Sequence, residues 1–204
     1  MLSLVILDCD GVLFESAAAN VAYYNAVLER LGHPPLNEEW SRRAHFLSSF
    51  QLYDAMFGAG SALGEAARST AREVDYAPFY KLMRPVPDLD RVLLLLKQHY
   101  RLAMATNRGG TVTGVVREFG LDRFLDLTVG AHDVPRPKPH PDMIERCLEH
   151  FRVMPVAAVY VGDSETDHQA AIAAGVHFIG VGGATPAEHR VRDLRELPAL
   201  LKRF

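Results

Sequence analysis

The 204-residue sequence predicts an α/β protein whose core is a parallel β-sheet, with a small helical subdomain inserted near the start of the chain. Three observations lead to this prediction. From about residue 85 onward, short apolar runs alternate with amphipathic helical patterns, which is typical of βαβ units. By contrast, residues 8–100 separate the first apolar run from the next clear strand, far more than one crossover helix needs. Finally, 49% of the residues are hydrophobic, which is enough for a sizeable core.

The strands are predicted from short runs rich in Val, Ile and Leu. The first run begins at Leu4 and ends at Asp8, and it suits burial on both faces, as a central parallel strand requires. The later strands are predicted at residues 101–106, 125–129, 156–163, 176–181 and 190–193.

Helices are predicted between these strands from apolar residues that recur at i, i+3, i+4 and i+7. Asp88 is placed to cap the first of them, and Gly120 and Gly175 to end two of the later ones. A last helix begins at about Leu197. The proline-rich stretch 134–141 is predicted to be extended, because each proline disfavours helix in the residue before it.

Residues 15–84 predict the helical subdomain. Its two expected helical faces consist of Val21, Tyr24, Leu28 and Leu31, and of Phe50, Tyr53 and Phe57. The chain is therefore predicted to divide into an α/β core, residues 1–14 and 85–204, and a helical subdomain, residues 15–84.

Composition narrows the classes of partner. The formal net charge is -3, with 22 basic and 25 acidic residues interspersed, so there is no basic stripe for nucleic acid and no polybasic membrane patch. No apolar run approaches membrane-spanning length, and the first reaches Asp8 too early for a signal peptide. Cys9 and Cys147 lie far apart, which predicts reduced thiols in a cytoplasmic protein. A small molecule is the expected partner.

Polar groups follow the predicted strands at their carboxyl ends, where parallel sheets bind ligands. The groups expected to converge there are Asp8, Asp10, Thr106, Asn107, Arg108, Asp163 and Asp167, with Lys138 between them in the proline-rich stretch. Hard carboxylate oxygens suit Mg²⁺, and a lysine beside hydroxyl and amide groups suits a phosphate. The sequence therefore predicts a site for Mg²⁺ and a phosphate.

Four ordered motifs resemble those of the haloacid dehalogenase-like (HAD) hydrolase superfamily. They are Asp8-x-Asp10-Gly11-Val12-Leu13, Thr106-Asn107, Lys138 within RPKPHPD, and Gly162-Asp163-x-x-x-Asp167. The helical insert after the first motif is similar to the C1 cap of the phosphoglycolate phosphatase and β-phosphoglucomutase branch. The resemblance spans almost the whole chain, and it implies a HAD-like, Rossmann-type core with a helical cap and a Mg²⁺-dependent phosphatase acting on a small phosphorylated metabolite.

The resemblance also implies roles for the acidic residues. Asp8 would be the nucleophile that forms an aspartyl-phosphate, and Asp10 would be the general acid and base. The metal would be held by the side chains of Asp8 and Asp163 and by the backbone carbonyl of Asp10. Asp167 would lie close by, either as a further ligand or as a charge favoured at the start of a helix.

The phosphate would be held by Thr106, Asn107 and Lys138. Arg108 follows this pair directly, and the sequence leaves it open between a phosphate or substrate contact and a surface residue.

The segment 41–53 departs from the family pattern, because it lacks the Gly-x-Pro loop that faces the active site in many relatives. This departure does not favour phosphoglycolate as the substrate. Arg42, Arg43 and His45 are candidates to bind an anionic substrate tail, with a solvated helix face as the alternative reading of the arginines.

Other functions remain open. Asp10 argues against dehalogenases and phosphonatases, which lack this second acid. A phosphomutase shares all four motifs, and a non-catalytic phosphate- or metal-binding module is a further alternative. The expected assembly is a monomer or a small homo-oligomer.

Overall fold

The computed structural model describes residues 1–183 and 186–204 of the chain. In these residues the strands are β1 (Leu4–Leu7), β2 (Phe14–Glu15), β3 (Arg84–Pro85), β4 (Arg101–Thr106), β5 (Leu127–Gly130), β6 (Ala158–Gly162), β7 (His177–Val181) and β8 (His189–Val191). Six of them form one parallel sheet in the spatial order β5-β4-β1-β6-β7-β8. The predicted α/β fold with a parallel sheet is confirmed.

Strand β1 lies in the middle of the sheet because all of its side chains are apolar and can be buried on both faces. Its register pairs Leu4 with Arg101 of β4 and with Ala158 of β6. Alternate residues point to opposite faces. Val5 and Leu7 belong to one core cluster, and Leu4 and Ile6 to another. The sheet therefore separates two apolar cores.

Helices cover both faces of the sheet. The helices of the described residues are α1 (Ala17–Arg30), α2 (Glu38–Arg43), α3 (Ser49–Phe57), α4 (Ala62–Glu73), α5 (Leu89–Lys97), α6 (Val112–Glu118), α7 (Asp142–Phe151), α8 (Glu165–Ala174) and α9 (Leu197–Leu201), of which α5 to α9 follow the crossing from the helical segment back to the sheet. Apolar residues of α5 and α9 belong to the first core cluster, and those of α7 and α8 to the second. None of the helices in the described part of the chain has the length and apolar character needed to cross a bilayer.

Local differences from the predicted elements have physical causes. The predicted strand 156–163 begins only at Ala158, because Pro155–Ala157 forms a 3₁₀ turn. The stretch 134–141 is not extended as predicted, since it folds into bends and a turn. The Asn107 side chain binds both backbone groups of Lys138 and holds this turn in place.

The helical segment contains α1 to α4 and a 3₁₀ helix at Ala77–Leu82. The buried face of α1 is broader than predicted and shifted, since Tyr23 and Val27 are buried whereas Val21 is only half-buried. The reason is that α1 packs against both α4 and the 3₁₀ helix. In the second predicted stripe Tyr53 is buried, but Phe50 is 38% exposed.

The two chain crossings between the core and the helical segment lie side by side. Phe14 pairs with Pro85 and Glu15 with Arg84 in an antiparallel two-stranded ribbon. The predicted boundaries, between residues 14 and 15 and between 84 and 85, fall on this ribbon. The division into two domains at these positions stays a prediction.

Gly162, the last residue of β6, provides a test of packing at the carboxyl end of this strand. A Cβ atom there would lie 2.6 Å from Cγ and 2.7 Å from Oδ2 of Asp167 at the start of α8. We expect Gly162→Ala to lower the free energy of unfolding by about 1–3 kcal/mol, measured by chemical denaturation. Gly183→Ala is the matched control, because a Cβ at Gly183 meets no atom of the described residues within 4 Å. Equal stability of the two variants would contradict the close approach.

Candidate active site

The candidate site lies at the carboxyl ends of the three central strands, β4, β1 and β6. Asp8 follows β1, Thr106 ends β4, and Asp163 follows β6. Gly11 allows the chain to turn beside them. Its φ is +80°, and an added Cβ would collide with the carboxylate of Asp163. The structure thus brings together polar groups that are far apart in the sequence.

The centre of the site is the ammonium group of Lys138, whose residue is only 2% exposed. Its Nζ lies 2.9 Å from Oδ1 of Asp8 and 2.6 Å from Oδ1 of Asp167. It also donates a hydrogen bond of 2.8 Å to the hydroxyl of Tyr160, which in turn donates to the backbone carbonyl of Ala105 at 2.7 Å. Burial lowers the pKa of Lys138, but the two carboxylates outweigh burial and raise it. The lysine therefore stays charged.

Tyr160 is a member of the site that the sequence did not indicate. It stands inside an apolar strand, where a buried aromatic residue is expected for packing alone. No local pattern distinguishes it from a core residue.

Asp8 is buried among other acids. Burial raises the pKa of its carboxyl to about 8, with Lys138 opposing the shift and Asp167, Asp163 and Asp10 adding to it. A carboxylate in this position is stabilised by any additional cation.

A cluster of acidic residues could hold such a cation. Asp8, Asp163 and Asp167 each offer an oxygen atom, and these atoms lie within 4.8 Å of one another. Carboxylate oxygen atoms are ligands that Mg²⁺ prefers, so the donor set fits this ion.

Both side-chain oxygen atoms of Asp167 have partners in the protein. Oδ1 faces Lys138, and Oδ2 accepts hydrogen bonds from the backbone of Asp163 at 3.1 Å and Ser164 at 3.0 Å. Ser164 caps α8 in a capping box with Asp167. Asp167 thus binds Lys138 and also lies at the start of α8.

Asp10 has a separate set of partners. Its Oδ1 accepts hydrogen bonds from the side chains of Ser16, Asn20 and Arg108, the last with Nη2 at 2.6 Å and Nε at 3.2 Å. Burial raises the pKa of Asp10, but the charge and hydrogen bonds of Arg108 and the hydrogen bond of Ser16 outweigh it and lower the pKa. Arg108 is 6% exposed. The alternative that it is a surface residue is therefore wrong.

Thr106 and Asn107 lie beside this pair at the end of β4. Thr106 is buried, and its hydroxyl accepts from the backbone N–H of Arg108 at 3.2 Å. Asn107 donates to the backbone carbonyl of Lys138 at 3.1 Å and accepts from its N–H at 3.0 Å. Asn107 thus fixes the loop that carries the lysine.

Residues of the helical segment also contact the site. Nε2 of His45 lies 3.7 Å from Oδ2 of Asp163, and the interaction with Asp163 raises the pKa of His45. The amide of Asn107 donates to the backbone carbonyl of Phe46 at 3.2 Å. Arg42 and Arg43, by contrast, are paired along α2 with glutamates four residues earlier. Of the three candidate cations in this segment, only His45 reaches the acidic cluster.

A cavity of about 480 Å³ lies between the helical segment and the core. Asp10 and Arg108 line it on the side of the core, together with His132. Arg68 and Tyr76 line it on the side of the helical segment. This space can admit a small molecule beside Asp10 and Arg108.

Comparison with known proteins agrees with this site. A model of the haloacid dehalogenase-like hydrolase family matches residues 5–181. The chain therefore belongs to the haloacid dehalogenase-like hydrolase family, which confirms the resemblance drawn from the four motifs.

Individual relatives support the same assignment. A HAD-superfamily hydrolase of subfamily IA, variant 1, from Geobacter sulfurreducens has a TM-score of 0.85 and 36% identity, over 98% of this chain and 100% of that one. A phosphoglycolate phosphatase from Pseudomonas putida is 30% identical over 87% of this chain and 68% of its own length. The pyrophosphatase PpaX of Halalkalibacterium halodurans is 31% identical over 65% of this chain and 66% of its own length. The predicted class of enzyme, a phosphatase of this family, is confirmed.

The raised pKa of Asp8 predicts how stability depends on pH when metal is removed by a chelator. The folded protein holds a proton on Asp8 that the unfolded chain releases above its pKa of about 3.9. Stability from this group is therefore full below that value and is lost as the pH rises toward about 8. Asp8→Asn removes the titrating group. The free energy of unfolding of the variant should therefore rise relative to that of the wild type by up to about 1.4 kcal/mol for each pH unit.

Thermal denaturation of both proteins in chelator from pH 5 to pH 8 measures this difference. We expect similar melting temperatures at the low end and a more stable variant at the high end. A difference that does not change with pH would contradict the assignment.

Proposed function

We propose that the protein is a Mg²⁺-dependent phosphatase that hydrolyses a small phosphomonoester through an aspartyl-phosphate on Asp8. The observation that carries the proposal is the position of the Asp8 carboxylate. One of its oxygen atoms lies 2.9 Å from Nζ of Lys138, and it offers an oxygen within 4.8 Å of one of Asp163, while Asp10 lies two residues further along and lines the cavity.

The first chemical step is attack of a carboxylate oxygen of Asp8 on phosphorus, with cleavage of the bond to the leaving oxygen. Asp10 donates the proton that this oxygen needs. Since Arg108 favours the ionised form of Asp10, the guanidinium has to move part of its contact to the substrate before Asp10 carries a proton.

In the second step Asp10 accepts a proton from water as the water attacks phosphorus, and Asp8 is released as the carboxylate. The side chains of Asp8 and Asp163 and the backbone carbonyl of Asp10 would hold Mg²⁺, whose charge would offset the repulsion between Asp8 and the phosphate. Its ligand set and the Mg²⁺ requirement are part of the proposal.

The phosphate is held by Lys138, Thr106 and Asn107, with Arg108 as an additional contact. Lys138 is suited to this task because Asp167 and Tyr160 keep it in place from behind. Thr106 ends the neighbouring strand β4, and Asn107 follows it and binds the backbone of Lys138.

The substrate is a small phosphorylated metabolite, since the cavity of about 480 Å³ is bounded by the helical segment. Nucleic acids and membranes are not expected as partners, and the buried thiols of Cys9 and Cys147 agree with a cytoplasmic protein. Phosphoglycolate is the substrate in the names of several relatives. The segment 41–53 does not favour it in this chain. A monomer or small homo-oligomer remains the expected assembly.

A phosphomutase of the β-phosphoglucomutase type is the second candidate. The contacts of His45 and Phe46 with the core support it, because a covered site shields an aspartyl-phosphate from water. A non-catalytic phosphate- or metal-binding module is the third alternative.

A panel of small phosphomonoesters separates these functions. It includes sugar phosphates, phosphorylated organic acids and phosphoglycolate, and each is assayed for released phosphate and for isomerised sugar phosphate. We expect release from several compounds, no strong preference for phosphoglycolate, and reversible loss of turnover in chelator that Mg²⁺ restores. Isomerisation without release indicates the mutase, and ligand binding without turnover the binding module. Full activity in excess chelator would overturn the Mg²⁺ requirement.

Asp8→Asn tests the nucleophile. The amide cannot form an acyl phosphate, so turnover of the best panel compound should fall at least about 1,000-fold. Circular dichroism should show a folded protein. Quenching the reaction with acid should trap a phosphorylated enzyme only with the wild type. A folded Asp8→Asn protein with substantial turnover would contradict the covalent route.

A further inference from the structure

Gln51 connects the helical segment to the backbone of the catalytic lysine. It is the third residue of α3, and its Nε2 donates a hydrogen bond of 3.0 Å to the backbone carbonyl of Lys138, 87 positions away in the sequence. Its Oε1 accepts from the backbone N–H of Ser48 at 2.8 Å, as part of the capping box of α3. Both ends of the amide are thus in use.

The carbonyl of Lys138 is a sensitive point of the lysine loop. Pro137 and Pro139 on either side have no N–H to donate, so the backbone groups of Lys138 provide the attachment. Its N–H donates to Asn107, and its carbonyl accepts from Asn107 at 3.1 Å and from Gln51 at 3.0 Å. One attachment comes from the core and the other from the helical segment.

The residue type at position 51 supports a role beyond capping. A capping box is satisfied by either Glu or Gln at this position, because each offers an oxygen to the N-cap N–H. Only the amide also has N–H groups to donate to a carbonyl. The contact with Lys138 therefore uses the feature that distinguishes Gln from Glu.

We propose that Gln51 is a positioning residue that couples docking of the helical segment to placement of the Lys138 side chain, an inference that rests on the proposed phosphatase function. When α3 lies against the core, the lysine loop is held from two sides and Nζ is directed at Asp8. When α3 moves away, the carbonyl of Lys138 loses one donor. Turnover is then greatest when the site is covered.

Three variants separate this role from helix capping. Gln51→Glu keeps the oxygen that accepts from Ser48 but has no donor for Lys138. Gln51→Met has neither group and adds no charge. Ser48→Ala removes the hydroxyl that accepts from the backbone N–H of Gln51 and leaves the contact with Lys138 in place. Melting temperatures should fall by about 2–4 °C for Gln51→Met and Ser48→Ala, and should change little for Gln51→Glu.

Steady-state kinetics with the best panel compound is the first measurement. We expect kcat to fall about 5- to 20-fold in both Gln51 variants, with KM changing less than about threefold, because the lost contact acts on the alignment of Lys138 with Asp8. Ser48→Ala should retain wild-type kcat.

Amide exchange at Lys138 is the second measurement and does not need turnover. Lysine-selective ¹⁵N labelling reports on only four residues, Lys81, Lys97, Lys138 and Lys202. The Lys138 amide should exchange faster, by at least about threefold, in Gln51→Glu and Gln51→Met but not in Ser48→Ala.

The outcomes distinguish the proposals. Wild-type kinetics and exchange in both Gln51 variants would overturn the role of Gln51 and leave the phosphatase intact. A lowered kcat in Gln51→Glu together with a wild-type kcat in Gln51→Met would indicate charge repulsion by the new carboxylate. This result would also overturn the role of Gln51. A fall in kcat in Ser48→Ala equal to that in Gln51→Met would overturn the role of Gln51 too. An inactive wild type would contradict the proposed function, and the exchange rates would still decide the contact.

Discussion

The buried ion pairs of Lys138 are the constraint on which the site depends. Asp8 and Asp167 are both removed from water, and their charges repel each other unless a cation lies between them. Lys138 supplies that cation, and breaking such a buried pair typically costs about 3–5 kcal/mol. Its position depends in turn on the hydroxyl of Tyr160, the capping box of α8 and the loop contacts of Asn107. The ends of β1, β4 and β6 are therefore organised around one ammonium group.

A second polar group joins the core to the helical segment. Arg108 of the core binds Asp10, Asn20 and the ring face of Tyr76, so a single guanidinium contacts residues on both sides of the cavity. Together with His45 and Gln51, it makes the covered arrangement and the ordered site parts of one network. Under the proposed function, closing over a substrate and aligning the reacting groups are the same event.

Much of this architecture is visible in the sequence because it is local. Strand 101–106 is observed with the predicted limits, and the strand ends carry the predicted polar residues, since apolar runs and the groups that follow them are adjacent in the chain. The partners of these groups are not local. The contact of Arg108 with Asp10 joins residues 98 positions apart, and that of Tyr160 with Lys138 joins residues 22 apart. The sequence also does not predict the turn at Lys138. Proline patterns indicate local backbone preferences, whereas this turn is held by hydrogen bonds from Asn107, 31 positions away.

Asp8 and Asp10 show how environment separates two equal side chains. Burial among acids raises the pKa of Asp8 to about 8, whereas Arg108 and Ser16 outweigh burial and lower the pKa of Asp10. The proposed reaction needs the opposite order, an ionised nucleophile and a protonated acid. Under the proposed function, a cation beside Asp8 and Asp163 would oppose the first shift, and an anionic substrate that draws Arg108 away would oppose the second. Under the proposed function, cation and substrate together would therefore favour the ionised form of Asp8 and the protonated form of Asp10.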